Sequence, residues 1–261
     1  MASALSKQRD YKYIAETYSK VNAYQVELGK QLINFLVVKR GDKVLDMGCG
    51  TGEITSFIAD QVGEAGEVIG VDPDQERIKV ATQPNRLGAK RNMKFVVGDS
   101  SSHFPHYNEE YYDVYYSNFV FHWLTDQEKN VFLNTAFNCL KPGGRIVILS
   151  ADKSPELLTK VAELLPDDEV EKNRPPDHYV KKSVAESMMA KSGLAILSSE
   201  YDEDTVVLPS LETFLTWYCV SNYVDESKIM PHKKEAFAKK FVNEDGTVYF
   251  RSVTYRIVAQ K

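Results

Sequence analysis

The sequence predicts a doubly wound α/β fold on a mostly parallel sheet. Between Lys43 and Ser150, short β-branched runs alternate with helix-patterned stretches, the order that winds a chain into parallel strands with helices on both faces. Those runs occupy residues 44–47, 68–71, 93–97, 114–117 and 146–149, and each is followed by turn residues and a helix-like stretch. They are apolar nearly throughout, as strands buried on both faces are. A chain of 261 residues with 43% hydrophobic and 26% charged residues is large enough to bury such a core without cross-links.

The flanks follow from the same periodicities. Ahead of the first strand, residues 11–38 carry Ile14, Tyr18, Val21, Leu28, Leu32, Phe35 and Leu36 at helical spacing, which predicts a pair of helices. Between the helix that ends at Cys139-Leu140 and the fifth strand stands Lys141-Pro142-Gly143-Gly144, where proline stops the helix and the glycines permit reversal. Residues 155–176 are charged and proline-punctuated, as a crossover or lid would be, and residues 183–192 read as a helix closed by Gly193. Residues 194–208 and 247–259 read as an antiparallel strand pair, with helices at 211–223 and 232–241 inserted between them. The mixed-sign run 233–240 reads as a solvated helix face.

Composition limits the partners. A formal charge of -5 from 32 basic and 37 acidic residues gives no global attraction to nucleic acid or anionic membrane. No apolar window approaches a membrane span, and the first residues lack a signal-peptide core. Three cysteines, Cys49, Cys139 and Cys219, are odd in number and widely spaced, which argues for a reducing, cytoplasmic setting and against a disulfide scaffold or zinc cluster.

The chemistry concentrates where the first strand ends. Val44-Leu45-Asp46-Met47-Gly48-Cys49-Gly50-Thr51-Gly52 runs a strand into a glycine-rich turn and then a helix, so a ligand is expected at that helix N-terminus. Counting from Gly48, a dinucleotide fingerprint would need glycine where Glu53 stands, and a carboxylate there opposes a pyrophosphate. Asp46 and Glu53 instead suit a ligand with positive charge and an amino group. Asp72 closes the second strand about twenty residues past the glycines, the position that grips ribose hydroxyls, with Pro73 beside it. The third strand ends at Asp99-Ser100, suited to an exocyclic amine, and the fourth at Ser117-Asn118. All these strand ends are expected to face one crevice.

Four motifs in order, D-x-G-x-G-x-G at 46–52, G-V-D at 70–72, G-D at 98–99 and L-K-P-G-G at 140–144, resemble the class I S-adenosylmethionine-dependent methyltransferases. That resemblance implies a Rossmann-like sheet of seven strands with the last antiparallel, and S-adenosylmethionine, which carries both a positive charge and an amino group, as the cofactor. No metal is implied. Tyr18-x-x-x-Asn22-x-x-Gln25, Phe121-His122-Trp123 and the 217–231 segment followed by Phe241 resemble the juvenile hormone acid methyltransferases over nearly the whole chain. The H-W or Q-W element is shared with small-molecule carboxyl methyltransferases acting on aconitate or malonyl thioesters. Carried over by position, Gln25 and Trp123 would touch a substrate carboxylate, and an amide and an indole N–H are neutral donors that leave its nucleophilicity intact. Trp123 can equally be a core aromatic, Gln25 an ordinary exposed polar residue and His122 a structural donor rather than a base. Trp217, Tyr218, Tyr223 and Phe237 form either lid core or substrate wall.

The resulting division is a helical substrate cap at 1–40, a cofactor-binding core at 41–152, and a crossover, lid helices and C-terminal strands at 153–261. The expected activity is in-line methyl transfer to a small molecule, most simply the carboxylate of an apolar or amphipathic acid. The alternatives are N-methylation of a small amine or imidazole, which needs a base, and a cofactor-binding regulatory protein without turnover.

Overall fold

The computed structural model describes residues 10–101, 103–170 and 178–261. Two helices, α1 (Tyr11–Val21) and α2 (Ala23–Leu36), open the chain, the first capped by Asp10, whose side chain accepts from the Tyr13 N–H. Then β1 (Lys43–Met47), α3 (Glu53–Val62), β2 (Glu67–Asp72), α4 (Gln75–Ala81), β3 (Met93–Val97), β4 (Tyr112–Asn118), α5 (Asp126–Cys139) and β5 (Leu140–Ala151) follow. The remainder comprises α6 (Glu156–Val161), α7 (Asp167–Val170), α8 (Lys182–Lys191), β6 (Ala195–Leu208), α9 (Leu211–Asn222), α10 (Pro231–Phe241) and β7 (Val248–Gln260). No helix among the described residues is long and apolar enough to cross a membrane.

The seven strands form one sheet in the order β3-β2-β1-β4-β5-β7-β6. Strands β1 to β5 are mutually parallel, and β7 runs antiparallel between β5 and β6. The seven-stranded, mostly parallel architecture expected from the sequence is thus present, with the last strand the reversed one. Strand order reverses between β1 and β4, and in open α/β sheets the crevice outside that switch point is where ligands sit.

Alternation within the strands divides the core. Leu45, Tyr115, Ile146 and Ile148 face one side with Phe132 and Leu133 of α5 and Ala185 and Met189 of α8. Val44, Val114, Tyr116 and Val147 face the other, against α2 and α3. A third cluster joins Leu157 and Val161 of α6, Phe214 and Trp217 of α9, Phe237 of α10 and the start of β7 at Val248 and Phe250. The described part of the 155–176 stretch is therefore helical and packed against α9 and α10, while residues 171–176 lie outside the described residues. Within 140–144 the structure differs from the simple turn expected. Leu140 already pairs with Tyr112, pairing resumes at Arg145 with Val114, and residues 141–144 bulge out of β5 around Gly143 at φ +80°. Proline ends α5 as anticipated, but the chain enters the sheet before the turn rather than after it.

Candidate active site

The turn after β1 is shaped by glycine conformations and by β2. Gly48, Gly50 and Gly52 have φ of +81°, +57° and +88°, all in the region other residues avoid. The Gly48 and Cys49 N–H groups both donate to the Val71 carbonyl, at 2.7 and 3.0 Å. A Cβ on Gly48 would lie 2.1 Å from Val120 Cγ2, so packing alone forbids a side chain there. A Cβ on Gly50 would meet only Tyr18 at 3.7 Å, leaving room above the turn for a ligand.

Two buried carboxylates flank this turn. Asp46, 2% exposed, accepts from the Thr55 hydroxyl at 2.6 Å, and burial pushes its pKa up to about 7. Asp72 accepts from the Gly50 N–H at 2.8 Å and the Asp74 N–H at 2.9 Å, so it fastens the glycine turn as well as offering lone pairs to a ligand. Burial raises its pKa as well, while the Arg77 charge opposes the rise. Glu53 is differently placed from the free anion the sequence suggests. It pairs with Arg86 and accepts from Thr51 Oγ1 at 2.7 Å, while Arg86 Nη1 donates to the Thr51 carbonyl at 2.6 Å.

The N-terminal helices and α9 close over this end. The Arg77 guanidinium lies 4.3 Å from the Tyr18 ring centroid and 4.9 Å from that of Tyr223, whose hydroxyl donates to Asp74 at 2.8 Å. Asn22 Nδ2 reaches Thr51 Oγ1 at 3.3 Å.

A cavity of about 340 Å³ runs from the glycine turn to a wall made by α2, the 3-10 turn Phe121–Trp123, α9 and β7. Phe119, at φ +57°, turns the chain out of β4 into that wall, a strained conformation of the kind held at functional sites. Gln25 Oε1 accepts from Trp217 Nε1 at 3.2 Å, which fixes the amide and leaves its NH2 without a partner among the described residues. Asn118 Nδ2 donates to the Gln25 carbonyl at 2.9 Å. His122 Nδ1 lies 3.1 Å from Ser150 Oγ, and its ring stacks on Tyr179 with centroids 5.0 Å apart. Desolvation, aided by the Lys129 charge, lowers the His122 pKa to about 3, so the imidazole is neutral.

Of the residues singled out from sequence, Gln25, Asp46, Gly48, Gly50, Asp72, Pro73, Asn118, His122 and Trp123 line this one cavity. Gly52, Asp99, Ser100 and Ser117 do not. Gly52 caps α3 against Phe95, and Ser117 Oγ is turned into the sheet, donating to the Met47 carbonyl at 2.8 Å. Asp99 accepts from the Ser101 N–H and hydroxyl, both at 2.7 Å, and the Ser100 carbonyl accepts from Thr135 Oγ1 at 2.8 Å. The third strand end therefore lies beside the crevice rather than in its lining. Trp217 and Tyr223 are wall, whereas Tyr218 and Phe237 are core. Tyr18, Asn22, Thr51, Arg77 and Ser221 also line the cavity. Tyr18 and Asn22 stood in the quoted N-terminal motif, but no local signal marks Arg77 or Ser221.

Geometry of this kind defines a class. A glycine turn that is open above Gly50, two buried acids beside it and a second, uncharged wall fit a nucleoside cofactor with a positive centre and a small acceptor. They suit S-adenosylmethionine better than a dinucleotide. Residues 38–197 match the methyltransferase domain family model. The chain belongs to that family, and it is an S-adenosylmethionine-dependent methyltransferase. It is 29% identical, over 63% of its length and 74% of the relative, to the ubiquinone/menaquinone biosynthesis C-methyltransferase UbiE of Yersinia pestis (strain Pestoides F). The crystal structure of BH2331 from Bacillus halodurans C-125 matches with TM-score 0.62 and 19% identity, over 89% of this chain and 98% of that one. A SAM-dependent methyltransferase from Aquifex aeolicus matches with TM-score 0.56 and 19% identity, over 71% and 90% respectively.

Proposed function

We propose that the chain methylates the carboxylate of a small apolar or amphipathic acid to give a methyl ester, as its resemblance to the juvenile hormone acid methyltransferases suggests. The observation that carries this reading is the charge pattern of the cavity. Asp46, Glu53, Asp72 and Arg77 gather around the glycine turn, and among the described residues no other lining residue is an acid, lysine or arginine. The far wall offers neutral donors and aromatic surface.

Asp46, Gly50, Asp72, Pro73 and Asn118 would hold the cofactor, with Tyr18 above the turn. When bound it supplies an electrophilic methyl on a sulfonium centre. The chain's own work is then to orient and desolvate the acceptor. Gln25, pinned by Trp217, presents its NH2, and Trp123 adds an indole N–H, so a carboxylate is positioned without a cation to damp it. Aromatic walls from Phe119, Trp217 and Phe250 exclude water, which raises the effective concentration of the aligned pair. His122 is a neutral imidazole at neutral pH, and its low basicity suits it to shape the wall. An amine acceptor arrives protonated and needs a base of higher pKa than this.

Similarity to a C-methyltransferase favours a second reading, transfer to a carbon atom of the acceptor. Both are tested by supplying cofactor labelled in the methyl group together with small apolar acids and non-acidic acceptors. An ester releases the label as methanol in mild alkali. Label that survives alkali overturns the carboxylate reading and favours C- or N-methylation.

A further inference from the structure

Beyond the residues that address a carboxylate, the cavity holds polar side chains with nothing to bind. Tyr24 Oη and Ser221 Oγ are both fully shielded from solvent and both belong to lining residues; among the described residues Ser221 Oγ has no hydrogen-bond partner, and Tyr24 Oη has only Ser252 beside it, outside good hydrogen-bond geometry. The other unpartnered buried hydroxyls among the described residues, those of Tyr115, Tyr218, Thr254 and Tyr255, belong to residues outside this lining. The large majority of buried side-chain polar atoms in native proteins are hydrogen-bonded, and an unsatisfied one that faces a cavity, unlike one packed in the core, has room for a partner there.

The two hydroxyls come from different elements, α2 and α9, and Ser252 of β7 adjoins Tyr24 from a third. Around them the wall is aromatic. Trp217 and Phe250 stack with centroids 5.6 Å apart, and Tyr24 itself lies against Phe119 at 5.8 Å. Ser221 stands one helical turn beyond Trp217 on the same face of α9, the residue that orients Gln25. Neither hydroxyl takes part in the Gln25–Trp217 hydrogen bond, and aromatic side chains line the wall beside them.

We infer that the acceptor carries a second hydrogen-bonding group, a hydroxyl or carbonyl on its apolar body, read by Tyr24 with Ser252 and by Ser221. The inference rests on the carboxylate reading for the reactive end of the acceptor. A site built to hydrogen-bond a hydroxyl rejects the analogue lacking it, because its own buried groups are then left unpaired. Tyr24 is suited to donate, since burial pushes its phenol above the ordinary value and keeps it protonated.

The test titrates medium-chain saturated acids and their positional hydroxy isomers into the protein saturated with S-adenosylhomocysteine. At least one hydroxy isomer is expected to bind about tenfold or more tightly than its parent. Tyr24→Phe or Ser221→Ala is expected to bring that isomer to the parent's level. Equal affinities throughout, no binding of any acid, or a preference that survives both variants overturns the inference. Alkali-labile product without hydroxy preference leaves the ester reading standing and this one refuted. Hydroxy preference with alkali-stable product does the reverse.

Discussion

Asp46 shows how one residue sets stability against binding. Its folded pKa of about 7 stands above the ordinary 3.8 because burial penalises the carboxylate. The folded, ligand-free protein therefore holds a proton that the unfolded chain releases, and stability falls as pH rises from about 4 to about 7, then levels. Asp46→Asn removes that penalty. Thermal unfolding of the ligand-free variant at pH 8 should show a gain of at least ~1 kcal/mol, and little gain at pH 4, while S-adenosylhomocysteine affinity falls. On the acceptor side, Gln25→Ala and Trp123→Phe should each lower kcat/KM by about tenfold, the size of one lost hydrogen bond, with S-adenosylhomocysteine affinity within a few-fold of wild type. Loss of cofactor binding in either variant would make that residue part of the core packing instead. Much of this was legible because glycines and acids at a strand end announce themselves within a few residues. The Glu53–Arg86 pair was not, since it joins positions far apart in sequence and leaves Glu53 ion-paired.

At the scale of elements, α1, α9 and α4 are fastened through Arg77. Its guanidinium lies against the rings of both Tyr18 and Tyr223, and Tyr223 is tied to Asp74. Each cation–π contact of a desolvated arginine contributes on the order of 1 to 2 kcal/mol. Arg77→Leu should accordingly speed S-adenosylhomocysteine release by about tenfold in stopped-flow displacement, with a smaller effect on the acceptor's KM. Unchanged release would show that these helices open independently of the latch. Periodicity located α1, α9 and α4 but carried no information on which face of each would meet the others, so this contact was invisible in sequence. The bulge at 141–144 escaped for a related reason. Leu-Lys-Pro-Gly-Gly signals a break, and only pairing with Tyr112 shows that the strand has already begun.

For the whole molecule, the parallel core was readable because strands buried on both faces leave apolar runs, and the reversed β7 because its length and partial alternation match β6. What the sheet accomplishes is to bring a charged end and an uncharged wall into one cavity from elements as distant as α2 and β7. That separation of charge is the basis of the ester reading, and the pH dependence of kcat probes it most directly. A carboxylic acid is ionised throughout the range, His122, at about 3, does not titrate in it, and in the cofactor-saturated complex that kcat reports the cofactor's positive charge opposes the burial that raises Asp46, so kcat should be nearly flat between about pH 6.5 and 8.5. A log-linear rise of kcat across that window would mean that a proton must leave the acceptor before it can attack, and would contradict carboxylate methylation.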